Sequence, residues 1–367
     1  MKLGIDISQI VYKGTGVGRF TEGLVDAILN YDTENKWVFF FSGFRRQLNE
    51  KFLQKIYSKK QHTTKWSLPP TALAFLWNDL HILKPPFTKK LDWFITSDWT
   101  EPPTYSKKAT VVHDLVFKKY PNTVHPKILS TQTKRLQWTT QESKLIFVDS
   151  QTTKRDLMDI YSVDDEKICV NYPGISISHQ DLDKEAKLNV LKKYKLSDPF
   201  ILTVGKVEPR KNIKNLINAY NALREEENVP DLVIVGLQGW DSEVAVNENI
   251  HYLGYVSDYD LAALYQSALG FIFPSIYEGF GYPILEAMAY GCPVATSNTS
   301  SLEEIAINGT ALVFDPFNQK SITDAFLVLI KERELRRELV KRGKQRSDEF
   351  TWKRYYDTMM EALIKNK

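Results

Sequence analysis

The sequence predicts an α/β protein made of two doubly wound parallel-sheet domains, and three observations carry that prediction. Short apolar runs rich in β-branched and aromatic residues alternate with helical patterns along most of the 367 residues. The runs lack polar alternation, as expected of parallel strands buried on both faces. They fall into two series on either side of a polar stretch near 175–198, and the length suits two cores better than one.

The first series is Leu3–Ile7, Trp37–Phe41, Leu91–Thr96, Thr110–Val112, Leu145–Val148 and Ile168–Val170. The second is Phe200–Val204, Leu232–Val235, His251–Leu253, Phe271–Phe273, Val294–Thr296 and Ala311–Phe314. Between these strands, a helix at about 18–29 follows a glycine-bearing loop. Asn212 reads as the N-cap of a helix whose stripe is Ile213, Leu216, Ile217, Tyr220 and Leu223. Ser257 opens another, with Leu261, Leu264, Tyr265 and Ala268 on its apolar side. Pro283 and Gly291 bound a helix at about 283–290 by the start-with-Pro, end-with-Gly asymmetry. Segment 321–343 ends in a run of Arg, Lys and Glu that reads as a solvated helix face. Phe350, Trp352, Tyr355, Tyr356, Met359 and Met360 form a terminal apolar stripe that needs a domain to dock on.

Composition excludes several classes. With 43% hydrophobic and 25% charged residues, a mostly disordered chain is not expected. A net charge of +3 provides no whole-molecule field for nucleic acid. Cys169 and Cys292 alone cannot build a disulfide framework or a cysteine zinc site, and they read as buried free thiols. The first apolar run breaks at Asp6, unlike a signal peptide, and nothing approaches the ~18 apolar residues of a bilayer span. A cytoplasmic protein is expected. The excess of base lies in the first half, where Lys51, Lys55, Lys59, Lys60 and Lys65 crowd together. Such a face is either solvated or a peripheral contact for an anionic membrane.

The chemistry concentrates in two strand–loop–helix junctions. After Phe271–Phe273, a loop holding Glu278, Gly279 and Gly281 enters the Pro283 helix, which carries Glu286. Backbone N–H groups at such a helix entry suit an anion, glycines let a ligand approach, and two carboxylates suit the vicinal diols of a polyhydroxyl ligand. After Phe200–Val204 comes Gly205-Lys206-Val207-Glu208-Pro209-Arg210-Lys211-Asn212. Three cations at a helix N-terminus are unfavourable without a compensating anion, so this loop reads either as a solvated basic turn or as a phosphate or diphosphate clamp, with Glu208 offsetting one cation. Gly14, Gly16 and Gly18 form a third loop, which approaches either a phosphate or a neighbouring strand. His113 and Asp114 end the strand Thr110–Val112, where a histidine serves as hydrogen-bond donor, proton-transfer group or structural residue. No catalytic triad, P-loop, zinc or kinase signature occurs.

Taken together, these motifs resemble retaining glycosyltransferase family 4, which has the GT-B fold. Glu278-Gly279-Phe280-Gly281 with Glu286 resembles its E-x7-E signature, and Gly205–Asn212 resembles its G-x-x-E-P-R-K-N loop. GTGVGRF, His113-Asp114-Leu115, Ser257–Ser267 and Ser300-Ser301-Leu302-Glu303-Glu304 match as well. The chain departs from the family pattern at Glu303, where proline is usual, at Thr310, where an acid is frequent, and at Lys206, where some branches carry arginine.

The resemblance implies two Rossmann-like domains facing across a cleft. Residues 1–180, with a helix of about 350–367 packing back on them, would form the acceptor domain, and 190–349 the nucleotide-sugar donor domain. It implies catalytic roles for Glu278, His113 and Lys211. Glu286 would hold the ribose, Glu278 and His113 the donor sugar, and Lys211 with Lys206 or Arg210 the diphosphate. Gly16, Gly205 and the backbone at Phe280, Gly281 and Tyr282 would also meet the donor. The reaction implied is metal-independent, retaining hexosyl transfer from a nucleotide-diphospho-sugar, with GDP-mannose the first guess, to a glycan or lipid-linked acceptor in polysaccharide synthesis. No separate cofactor is expected. The alternatives are a sugar-nucleotide epimerase of the same fold and an inactive nucleotide-sugar-binding scaffold.

Overall fold

The structure, a computed structural model, describes residues 1–12, 14–179, 181–239 and 247–367. The chain divides into two units. Unit 1 comprises Met1–Gly174 and Phe350–Lys367, and unit 2 comprises Ile175–Glu349.

The sheet of unit 1 contains β1 (Lys2–Asp6), β2 (Lys36–Ser42), β3 (His62–Trp66), β4 (Trp93–Thr96), β5 (Lys107–Val112), β6 (Leu145–Val148) and β7 (Ile168–Val170). Their order is β3-β2-β1-β4-β5-β6-β7, and every pairing is parallel. Unit 2 contains β8 (Phe200–Val204), β9 (Asp231–Val235), β10 (Ile250–Gly254), β11 (Gly270–Phe273), β12 (Val294–Ser297) and β13 (Leu312–Phe314). Their order is β10-β9-β8-β11-β12-β13, again parallel throughout. Each unit is thus a doubly wound α/β sheet, with strand order reversing at β1/β4 and at β8/β11.

The central strands are the apolar runs of the sequence because helices cover both faces of each sheet. All four residues of β4, β6, β11 and β12 are buried. The strand β3 was not anticipated. It lies at the sheet edge, is half-exposed, and reads His-Thr-Thr-Lys-Trp, so burial imposes no apolar pattern on it.

The helix after β1 runs Gly16–Tyr31, longer than expected, because Thr15 caps it by accepting from the Gly18 N–H at 3.1 Å. Asn212 stands at the N-cap of the helix Ile213–Glu226 as expected, but makes no side-chain capping bond. It has a left-handed backbone, and its amide donates to the Pro316 carbonyl at 2.8 Å. The 321–343 segment belongs to two helices, Gln319–Lys331 and Arg333–Ser347. Cys292 is buried, but Cys169 is only half-buried.

The terminal helix Trp352–Lys365 completes the core of unit 1, burying Tyr355, Tyr356, Met359, Met360 and Leu363 beside Phe20, Leu24 and Ile28. Gly23 makes the close approach possible. A Cβ there would lie 2.1 Å from Cε2 of the Trp352 indole. Among the described residues, no helix is long and apolar enough to cross a membrane.

Candidate active site

Strands β8 and β11 are neighbours, and both chains leave the same carboxyl edge of a parallel sheet. Loops 205–212 and 274–281 therefore meet, although 67 residues separate Lys211 from Glu278. Ligands of doubly wound sheets bind at this kind of switch point.

Glu278 is the hub of the junction. Its Oε1 accepts from Lys211 Nζ at 2.6 Å and from Ser275 Oγ at 2.6 Å. Its Oε2 lies 2.6 Å from Arg210 Nη1, which also donates to the Tyr277 carbonyl at 2.8 Å. Glu208 stands 3.1 Å from Lys206 Nζ and 3.7 Å from Arg210 Nη2. The Lys211 stem crosses Gly205, where an added Cβ would sit 3.5 Å from its Cδ. Three cations thus face two carboxylates, which leaves the junction net positive.

Burial by itself would raise the Glu278 carboxyl. Arg210 and Lys211 outweigh it and hold the group at about 2, so Glu278 is ionised at any physiological pH. The Lys211 ammonium is shifted below its ordinary range, because its own burial and the Arg210 charge outweigh the attraction of Glu278. Lys206 is the accessible cation, with 44% of its side chain exposed against 11% for Lys211.

The backbone of the glutamate loop is held from the far side by residues 300–301. Ser300 Oγ accepts from the Glu278 N–H at 2.9 Å. Ser301 Oγ donates to the carbonyls of Glu278 and Phe280 at 2.8 and 2.7 Å. The loop whose Glu303 departs from the family pattern is therefore the brace of the site. Gly281 has a positive φ of 118°, and its missing Cβ leaves room for Leu302 Cδ2, 2.9 Å away. The protein's own backbone and packing therefore already require a glycine at this position. Phe280 and Tyr282 pack edge to face with centroids 5.1 Å apart. Glu286, half-buried on the helix Tyr282–Ala289, has its Oε2 3.5 Å from the Tyr265 hydroxyl.

The two remaining candidates lie in unit 1. Gly16 opens its helix, and nothing lies within 4 Å of a Cβ added there, whereas one on Gly18 would strike the Tyr12 carbonyl at 2.4 Å. In this loop Gly18 is required by the preceding turn of its own segment, and Gly16 faces open space. His113 Nδ1 lies 2.6 Å from Asp149 Oδ2, and the Phe20 ring stands edge-on to its imidazole at 4.6 Å. Nearby in the same unit, a cavity of about 450 Å³ opens beside β1 and β2, with Ser8, Tyr12, Arg45, Arg46, Pro70 and Trp99 in its wall.

Sequence reasoning missed Ser275, Ser300, Ser301 and Asp149. Asp149 carried the same signal as His113, a polar residue directly after an apolar run. Ser300 and Ser301 lay in a segment already matched to the family but were given no role, and Ser275 carried no signal, since only the tertiary fold brings all three to Glu278. Among the described residues, no group of three or more His, Cys, Asp or Glu side chains is arranged to hold a metal ion.

Two Rossmann-like parallel-sheet units, with clustered cations and a glutamate at the switch point of the second, define a GT-B glycosyltransferase. The chain belongs to the glycosyl transferases group 1 family, whose model matches residues 184–346. It is 33% identical over 262 residues to O-antigen chain mannosyltransferase B of Escherichia coli, covering 68% of each chain. Its fold is similar to that of a sucrose-phosphate synthase from Thermosynechococcus elongatus, with a TM-score of 0.72, 17% identity and 98% of each chain covered. It is also similar to Anabaena HepE, solved in complex with UDP and glucose, with a TM-score of 0.69, 15% identity and 100% of each chain covered.

Proposed function

We propose that this glycosyltransferase is a retaining, metal-independent family 4 enzyme. It would transfer mannose from GDP-mannose to a glycan or lipid-linked acceptor. The observation that carries the donor assignment is the Arg210–Lys211–Glu278 cluster at the β8/β11 switch point. Cleaving a sugar–diphosphate bond develops negative charge on the departing diphosphate, and pre-placed cations stabilise it without a metal. In this reading Lys206, Arg210 and Lys211 hold the diphosphate, and Glu286 holds the ribose. Glu278 orients the two buried cations and contacts the donor sugar, and the backbone at Phe280, Gly281 and Tyr282 lies along the donor.

By the resemblance, Gly16 and His113 of unit 1 are assigned to the diphosphate and the transferred sugar. The incoming hydroxyl attacks from the face the diphosphate leaves, which retains configuration. Mannose is supported by the name of the E. coli relative and by the E-P-R-K-N loop. The cavity beside β1 and β2, whose lining includes Trp99 and Pro70, is assigned as the acceptor seat. Peripheral membrane contact is assigned to the exposed Lys51, Lys59, Lys60 and Lys65, since Lys55 is already paired with Asp26 at 2.5 Å. Preferential binding to anionic over neutral vesicles at low salt is the expected result, and equal partitioning excludes it.

The central test is thermal shift against a panel of nucleotide sugars, followed by sugar transfer to candidate acceptors. A donor at a hundred times its Kd stabilises the fold by about 2.7 kcal/mol. GDP-mannose should give the largest shift. Stabilisation by another nucleotide sugar alone replaces the donor, and donor turnover without any acceptor replaces the reaction with epimerisation. No shift by any nucleotide sugar overturns the reading.

A further inference from the structure

The parallel register places Val112 of β5 opposite Val148 of β6, so the residues that follow, His113 and Asp149, leave the sheet side by side. Their contact is short, 2.6 Å between Nδ1 and Oδ2. Asp149 is 3% exposed, and its other oxygen, Oδ1, accepts no hydrogen bond among the described residues. A buried carboxylate left this incompletely solvated needs a cationic partner, and the adjacent imidazole is placed to be one. Asp149 also precedes Ser150, which caps the helix Gln151–Tyr161, so the positive end of that helix favours the carboxylate. Phe20 fixes the plane of the ring from the helix Gly16–Tyr31, and Thr153 Oγ1 donates to the His113 carbonyl at 3.2 Å.

We propose that Asp149 is a positioning residue that keeps His113 an imidazolium, with Nε2–H a permanent charged donor to an oxygen of the bound substrate. This rests on the assignment of His113 to the sugar. It decides between the two chemical roles the histidine could play there. His113 donates a hydrogen bond and does not take up a proton. The charged groups bearing on the ring come from three strand ends: Asp98 after β4, Asp114 next to it after β5, and Asp149 after β6. From the terminal helix the Tyr355 hydroxyl faces Asp149, and burial together with that carboxylate raises it well above the usual phenol range. Burial would lower the imidazole, but the three carboxylates outweigh it and push it up to about 9. Asp149 itself is raised by burial despite the pull of His113, so the ion pair is bounded at its acid end as well.

The test is an NMR titration of the full chain carrying isotope-labelled histidine, with His113 assigned by loss of its signal in His113→Gln. In the wild type, both ring nitrogens should remain protonated at pH 8 and lose a proton near pH 9. In Asp149→Asn the midpoint should fall by about two units, towards the ordinary histidine value. Transfer should follow: the alkaline limb of the rate profile moves down with the midpoint, and the variant recovers on acidification to pH 6. Nucleoside diphosphate affinity should not change. A purely structural role for Asp149 would produce no recovery at low pH. A neutral His113 at pH 7.5 in the wild type overturns the proposal, and that measurement holds even where Asp149→Asn does not fold. A protonated His113 in a chain that transfers no sugar would instead count against the proposed function.

Discussion

Replacing Glu278 by Gln removes one charge and almost no volume from the junction of loops 205–212 and 274–281. In the wild type the carboxyl sits at about 2 against an ordinary value of 4.5. At ~1.4 kcal/mol per unit, that difference corresponds to roughly 3 kcal/mol of stability. The side chain is only 11% exposed, so solvent screening reduces this little. An independent route gives the same size, since removing one partner from a buried ion pair costs about 3–5 kcal/mol. Because the pKa is depressed in the folded state, the contribution is present above pH 4.5 and is lost as pH falls towards 2. For a unit of this size, roughly 3 kcal/mol lowers the melting midpoint by about 6–12 °C. The assay is thermal and denaturant unfolding of Glu278→Gln and wild type at pH 7 and down the acid limb, with and without nucleoside diphosphate. The variant should melt lower and lose less on acidification. It should also gain more from the nucleotide, because Arg210 and Lys211 no longer share their charge with a carboxylate. Equal midpoints and parallel acid limbs would falsify the pairing as the source of both effects.

Lys211→Ala should weaken nucleoside diphosphate and intact donor alike by roughly ten- to a hundredfold, the equivalent of ~1.5–3 kcal/mol, as read by calorimetry. A loss confined to the intact donor would reassign Lys211 to the sugar. Transfer should persist in excess chelator if, as proposed, Lys206, Arg210 and Lys211 hold the diphosphate without a metal; activity abolished by EDTA and restored by Mg²⁺ or Mn²⁺ sinks that assignment. Gly23→Ala should destabilise unit 1 by about 1–3 kcal/mol, because the new methyl meets an indole atom at 2.1 Å. An unchanged unfolding midpoint would show that the terminal helix moves aside at no cost.

The parts of this molecule legible in the sequence are those whose physics is local. β6 and β8 appear at the same bounds in the apolar pattern and in the structure, Leu145–Val148 and Phe200–Val204, because burial on both faces demands apolar residues at every position. β3 was not legible, since an edge strand is under no such demand. The two loops of the candidate site were each recognisable, with their glycines, cations and glutamates. Their mutual pairing was not, because it depends on the reversal of strand order that makes β8 and β11 neighbours. Asn212 shows the same limit: a residue suited to capping was drawn instead to a carbonyl 104 residues away.

Because unit 1 is assembled from Met1–Gly174 and Phe350–Lys367, its core is interrupted by the whole of unit 2. During synthesis the first segment leaves the ribosome without Tyr355, Met359 and Leu363, the side chains that cover Phe20, Leu24 and Ile28. The unit made second is complete first. The unit made first must wait with an apolar face uncovered until the last helix emerges, an interval in which a partly folded domain is open to aggregation. Loss of Phe350–Lys367 alone should therefore leave unit 2 folded while opening unit 1 and raising its dependence on chaperones.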